Sequence, residues 1–312
     1  MEILYVALKS TFPLLFTMSI GYSAKRSGIF GKSDIAAINK LVYWILLPIL
    51  LFKSVYQPQL YTLQNSKILI FSVLATFCII LCAFIGVPLV IKDTRKIGVI
   101  IQSLIRGNVL YFGIPVISTL LGDDKVGLIS IVIVALVPIY NVVSVFALSK
   151  YTDEQAALKE VVKKLLSNPL IISAVVGILC VILGIELPEL IMQPLINVSK
   201  ATTPIALILL GAAIEFTFTR DRLKMIFTTI AIKLIFVPVL VVATAVYLRF
   251  SSDEIVTIFA VFAAPTAVAS YSLAREMKGD YDLAGQLVFL STVMSVITIF
   301  IGTVILQWIH IL

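Results

Sequence analysis

Long apolar runs alternate with short polar breaks along this chain. The runs lie at 4–24, 35–56, 67–91, 97–121, 125–149, 168–185, 190–215, 223–248, 254–275 and 281–311. Each is close to the roughly 20 residues that carry a helix across a bilayer, so the pattern predicts ten transmembrane helices. The longest polar interval, 150–167, reads as a short amphipathic linker between two halves. The chain opens Met1-Glu2-Ile3-Leu4, acidic and without a basic leader, so its first run reads as a retained helix and not a cleaved signal.

Composition narrows the class. Of the 312 residues, 60% are hydrophobic and 13% charged, against about 25% charged in soluble domains. The chain reads as an all-α membrane protein with no room for a sizeable soluble domain. Its net charge of +7 does not point to nucleic acid, because the lysines and arginines sit in short patches between apolar runs and form no continuous basic face. Cys78, Cys82 and Cys180 fall inside apolar runs and read as small buried hydrophobes, without a disulfide or metal pattern.

Prolines repeat between the halves. Pro13 and Pro169 are 156 residues apart, as are Pro48 and Pro204; Pro88 and Pro238 are 150 apart, as are Pro115 and Pro265. Gly21 and Gly28 follow Pro13 by the same intervals as Gly177 and Gly184 follow Pro169. The series predicts two repeats, 1–149 and 168–312, joined by a cytoplasmic linker at 150–167. Five helices per repeat is odd, so the second repeat enters from the opposite side and the repeats are inverted. Sixteen Lys and Arg residues lie in the connections after helices one, three, five, seven and nine. Six lie on the other side, Lys9, Lys53, Lys67, Lys125, Lys200 and Arg249. The sixteen-charge side is the expected cytoplasmic one, which puts both termini outside.

Two runs are interrupted, the fourth by Gly107-Asn108-Val109-Leu110-Tyr111-Phe112-Gly113-Ile114-Pro115 and the ninth by Ala263-Ala264-Pro265-Thr266-Ala267. A proline removes one backbone donor and clashes with the preceding turn, so helices four and nine are expected to break there. Irregular backbone survives at membrane depth only where it is buried in protein or lines a cavity. Paired breaks in two halves are the best sequence pointer to a transporter's binding site. The half-helices after Pro115 and Pro265 should present free N–H groups to an anion, with Thr266, Ser270 and Tyr271 adding hydroxyls after the second.

Arg106 lies about 15 Å along the helix from Lys96 at 1.5 Å per residue, deep enough to need a partner. That partner is either a carboxylate substrate, met by the planar fork of donors, or a structural group such as Glu215 or backbone carbonyls. Asn108 suits ligand contact or capping of exposed carbonyls. Lys233, mid-span beside Pro238, is either a substrate or proton-relay charge or a structural one. Asn39, Thr202, Thr203, Asn141 and Gln286 read as interhelical hydrogen-bonding residues. Asp123, Asp124, Asp280 and Asp282 read as loop or cap residues. His310 is the only histidine and no hydrolase motif is present, so the chain is not expected to be an enzyme or to hold a metal or other cofactor.

Gln102-Ser103-Leu104-Ile105-Arg106-Gly107-Asn108 with Phe112-Gly113-Ile114-Pro115 resembles the fourth helix of the auxin efflux carrier family, which includes plant PIN-type carriers and bacterial malate permease-like proteins. Ala263 to Ser270 and Leu283-Ala284-Gly285-Gln286 look like its C-terminal helices. The resemblance implies ten helices in two inverted repeats, with broken helices four and nine crossing at their prolines and an organic anion bound near the crossing. It also implies an elevator, with a scaffold of helices one, two, six and seven. Asn108 matches the family's substrate-contacting asparagine, and Pro115 and Pro265 its crossover prolines. The short 150–167 segment lacks the long loop of many plant carriers, so the pattern is closer to bacterial members and malate is a better expectation than auxin.

The reading is a secondary transporter of small organic anions in a bacterial or archaeal cell membrane. Its substrate site is expected at Arg106, Asn108, Gly113, Pro115, Pro265, Thr266 and Ser270. Coupling to a proton or sodium gradient is left open, and a homodimer through the scaffold helices is an expected partner besides the anion and the lipid. The alternatives are a sodium-coupled symporter or cation/proton antiporter on a similar fold, and a membrane sensor or scaffold.

Overall fold

Helices start where the sequence supplies caps. Ser251 and Glu254 form a capping box, with the Ser251 N–H donating to Glu254 Oε2 at 2.8 Å. Asn168 Oδ1 accepts from the Leu170 N–H at 2.9 Å beside Pro169 in the first turn, and Asp280 Oδ1 accepts from the Leu283 N–H at 2.9 Å. The computed structural model describes residues 2–56, 66–152, 162–163, 166–214 and 219–312. Most of the expected linker, 150–167, and Glu215 lie outside the described residues.

Among the described residues twelve helical segments of eight residues or more follow one another: α1 (Glu2–Arg26), α2 (Lys32–Val55), α3 (Ser66–Val90), α4 (Thr94–Ile105), α5 (Val109–Leu121), α6 (Val126–Thr152), α7 (Pro169–Ile182), α8 (Glu189–Ala213), α9 (Arg220–Tyr247), α10 (Ser252–Phe262), α11 (Ala269–Glu276) and α12 (Tyr281–Trp308). Among the described residues there is no strand, only one isolated bridge. Among the described residues six helices, α2, α3, α6, α8, α9 and α12, are long and apolar enough to cross a membrane, and α5 and α7 are shorter apolar helices. Every apolar run of the sequence falls on one helix or, for the fourth and ninth, on two.

Many large apolar side chains face outward. On α3, Ile70, Leu74, Phe77, Leu81 and Ile85 are each more than half exposed and repeat at helical spacing. A membrane is the solvent that such a stripe requires. Cys78 and Cys82 are exposed beside it and Cys180 is half-buried, so the expectation of buried cysteines is corrected. An apolar run at membrane depth has no polar face to mark its outside, and pattern cannot tell lipid-facing from core positions.

Small residues let the helices approach. A Cβ on Gly21 of α1 would lie 1.9 Å from the Ile208 carbonyl oxygen of α8, and one on Gly211 of α8 would lie 1.9 Å from the Met18 carbonyl oxygen of α1. The two helices thus touch backbone to backbone at reciprocal glycines, the kind of contact that membrane helices use for close packing. Gly177 of α7 lies similarly against α2, its Cβ position 3.2 Å from the Phe52 carbonyl oxygen.

Three helices carry a five-residue π-turn, Val42–Leu46, Val109–Gly113 and Ile232–Phe236. Each ends two residues before a proline, Pro48, Pro115 or Pro238. A proline lacks the N–H of the helical ladder and its ring crowds the carbonyl four residues back; the wider turn accommodates both. Pro88 and Pro204, which the proline series pairs with Pro238 and Pro48, lie in helices without such a turn.

This overturns one expectation. Pro115 does not break its helix: it sits in the first turn of the α-helical stretch Ile114–Leu121, directly continuing the π-turn. The break lies ahead of it at Arg106–Asn108, where Arg106 turns to extended backbone (φ −83°, ψ 96°). The helix N-terminus therefore starts at Val109 and not after Pro115. The second break does contain its proline, running from Ala263 to Val268.

The two breaks meet. Gly107 and Thr266 form an isolated antiparallel bridge, with the Asn108 N–H donating to the Pro265 carbonyl at 2.7 Å and the Ala267 N–H donating to the Arg106 carbonyl at 3.1 Å. Each break thereby satisfies backbone groups that the other frees, which is how irregular backbone persists away from water. A Cβ on Gly107 would lie 3.4 Å from both Ala264 Cβ and the Val261 carbonyl oxygen, in ordinary contact with the second break.

Candidate functional site

A cavity of about 80 Å³ opens where the bridge ends. Arg106, Gly107 and Asn108 line it from the first break and Ala267 and Val268 from the second, with Ala269 at the start of α11. The helix α5 starts at Val109 and α11 at Ala269, so the first turns of both helices face one space. Part of each first turn is already satisfied, the Phe112 N–H donating to the Asn108 carbonyl at 3.0 Å and the Ser270 N–H to the Ala267 carbonyl at 2.9 Å, while the two helix dipoles put partial positive charge at the same place.

Arg106 is 6% exposed and is held by one side-chain bond, Nη2 donating to Asn141 Oδ1 of α6 at 2.9 Å. Asn141 is itself oriented by donating from Nδ2 to the Val137 carbonyl at 2.8 Å, so its oxygen faces the guanidinium. Arg106 Nη1 has no hydrogen-bond partner, nor has the buried Asn108 Nδ2. No acidic side chain pairs with Arg106 among the described residues. A cation held this way at membrane depth costs about 3 kcal/mol on insertion scales. The buried side-chain polar atoms of the lining that lack a partner, Arg106 Nη1 and Asn108 Nδ2, are both donors, which suits a ligand that accepts, such as a carboxylate.

A second cavity of about 280 Å³ shares Leu50, Ser54, Leu110 and Tyr111 with the first and adds Lys53 and Lys200. These two lysines, from α2 and α8, line the second cavity and not the first. Their field favours approach of an anion.

The sequence-predicted residues divide. Arg106 and Asn108 line the cavity; Gly113, Pro115, Pro265, Thr266 and Ser270 do not. A Cβ on Gly113 would lie 2.7 Å from Ile129 Cδ1. The Thr266 N–H donates to Ser291 Oγ at 3.1 Å, its hydroxyl donates to the Ser103 carbonyl at 3.3 Å, and the Ser270 carbonyl accepts from Gln102 Nε2 at 3.2 Å. Thr202 does make the interhelical bond expected of it, donating to the Leu46 carbonyl at 3.1 Å. Asp280 is a cap and also accepts from Arg222 Nη2 at 2.6 Å. Asn141, expected only to join helices, holds the central cation, and Tyr111, Tyr140 and Ser54 are further lining residues that the sequence did not single out.

Known relatives agree with the membrane reading. An uncharacterised transporter of Methanocaldococcus jannaschii is 24% identical over 213 residues, covering 65% of this chain and 67% of the relative. An uncharacterised transporter of Methanothermobacter thermautotrophicus is 21% identical over 300 residues, 94% and 96% of the two chains. The auxin efflux carrier component 8 of Arabidopsis thaliana is 22% identical over 334 aligned positions, 88% and 90%. Residues 6–302 match the family described as membrane transport protein. With a match over nearly its whole length, the chain belongs to this family, the auxin efflux carriers, and is a multi-pass integral membrane transporter and not an enzyme.

Proposed function

We propose that the protein is a secondary transporter of small organic anions, carboxylates such as malate, bound at the Arg106–Asn108 cavity. The observation that carries this is the donor set: a buried guanidinium with a free Nη1, a free Asn108 amide and two helix N-termini converge on one space. Uptake of a radiolabelled dicarboxylate panel by proteoliposomes tests it, with equimolar amino acids and cations as controls. Saturable, competable uptake of a dicarboxylate is the expected result; uptake of cations alone overturns it.

The segments fit ten passes in two inverted repeats, 1–149 and 168–312, with α4–α5 and α10–α11 as the broken, crossing helices four and nine. The bridge between the breaks supports this, as does the exchange of partners in which α1 packs on α8 while α7 packs on α2. In that scheme α1, α2, α7 and α8 form the scaffold of an elevator, and the other helices carry the site past it. The charge asymmetry of the connections supports termini outside the cytoplasm, with Lys53 and Lys200 at the outer mouth.

Two predictions follow from this arrangement. Asn108→Ala raises KM about tenfold with little change in kcat, as expected for one lost hydrogen bond to a charged ligand; initial rates across a substrate series check it. Lys200→Glu also raises KM, and the rise shrinks at high ionic strength because the lysine acts at a distance through solvent. A KM insensitive to salt in both proteins removes Lys200 from the approach of the anion.

A further inference from the structure

Lys233 lies in the π-turn of α9, 3% exposed, and no acidic side chain pairs with it among the described residues. Its Nζ instead donates to the carbonyls of Leu104 at 3.0 Å and Ile105 at 3.4 Å, the last two residues of α4. The neighbouring carbonyls are each taken by another donor. Gln102 accepts from the Arg106 N–H at 2.8 Å, Ser103 from the Thr266 hydroxyl at 3.3 Å, and Arg106 from the Ala267 N–H at 3.1 Å. Lys233 thus places its Nζ donor against the negative end of a half-helix at the break itself.

Backbone carbonyls at the C-terminal ends of broken helices are a recognised chemistry for binding a monovalent metal cation in transporters. Oxygens alone, arranged about a compact charge, suit an alkali ion or an ammonium alike. We propose that the C-terminal carbonyl end of α4 is a monovalent-cation site whose occupant is the Lys233 ammonium. The tethered cation does what a bound alkali ion would do, neutralising the helix end and holding α4 to α9. The protein therefore needs no alkali ion to form its site, and removing the side chain leaves a vacant site that an alkali ion or a small amine fills. This inference uses the helix ends alone and does not depend on which anion is carried.

The test is thermal unfolding of the purified protein in sodium, potassium, methylammonium or choline chloride at equal concentration. The wild type is expected to unfold at the same temperature in all four. Lys233→Ala is expected to unfold lower in choline and to be recovered saturably by at least one of the three smaller cations. The recovery is about 5 °C at a hundredfold excess over the dissociation constant. Lys233→Gln keeps a neutral donor to the same carbonyls and is expected to fold in choline, guarding against a variant lost for lack of any donor. Two results overturn the proposal: stabilisation of the wild type by an alkali ion over choline, which means the site is not filled, or Lys233→Ala unfolding alike in all four salts. Failure of the anion-uptake experiment leaves this test intact, since its readout is cation-dependent stability and not flux.

Discussion

Arg106→Ala lowers carboxylate uptake at least about thirtyfold, and the purified variant is no less stable than the wild type in substrate-free buffer. The first half follows from losing one partner of a buried charge pair with the ligand, which costs 2–5 kcal/mol or about thirtyfold and upward. The second follows from Arg106 being buried with one side-chain bond and a free Nη1. Deleting an uncompensated cation removes its desolvation cost, whereas deleting a structural ion pair strands a partner. The two halves together separate a binding role from a structural one. Arg106→Lys keeps the charge but not the planar two-nitrogen edge, so it recovers less than wild-type affinity for a carboxylate. Initial uptake rates and unfolding temperatures of the three proteins check this, and wild-type uptake by Arg106→Ala removes the residue from the site.

Gly211→Ala and Gly21→Ala each destabilise the protein by about 1–3 kcal/mol or more, the range for forcing atoms into a packed interface. Each new Cβ would fall 1.9 Å from a carbonyl oxygen of the facing helix, and the displaced atom is backbone that cannot swing aside. The double variant costs clearly less than the sum, because helices parted by one methyl already have room for the other. Gly86→Ala and Gly127→Ala, where a Cβ would meet nothing within 4 Å, lie within about 0.5 kcal/mol of the wild type and serve as controls. Thermal unfolding in detergent measures all five variants. An unaffected Gly211→Ala means that α1 and α8 do not meet at these glycines.

Helix positions were legible because the bilayer imposes a length and a composition on each crossing, and both are written in the chain. The exposed α3 face and its cysteines were not, since lipid and core demand the same side chains. Arg106 and Asn108 stood out as polar groups too costly to leave without a task at that depth, and both line the cavity. Pro115 misled because a π-turn absorbs a proline's clash, and nothing in hydrophobic periodicity distinguishes a bent helix from a broken one. The actual break at Gly107 depends on backbone pairing with a segment 159 positions away in sequence, from Gly107 to Thr266. Pro265 does lie in a break, yet Thr266 is engaged by Ser291 and Ser103 and does not line the cavity; nor does Ser270, whose carbonyl accepts from Gln102 and whose buried hydroxyl has no partner. The sequence leaves the role of Lys233 open because its partners are backbone carbonyls, which carry no residue signature.

The reciprocal glycines also bear on motion. Where side chains separate two helices, rotamer changes let one slide on the other; where carbonyl meets Cα, no such lubricant exists. α1 and α8 should therefore behave as a single beam through any transport cycle. Spin labels placed on the outward faces of the two helices near Gly21 and Gly211 are expected to report one narrow distance, the same with and without substrate, whatever the rest of the protein does around them.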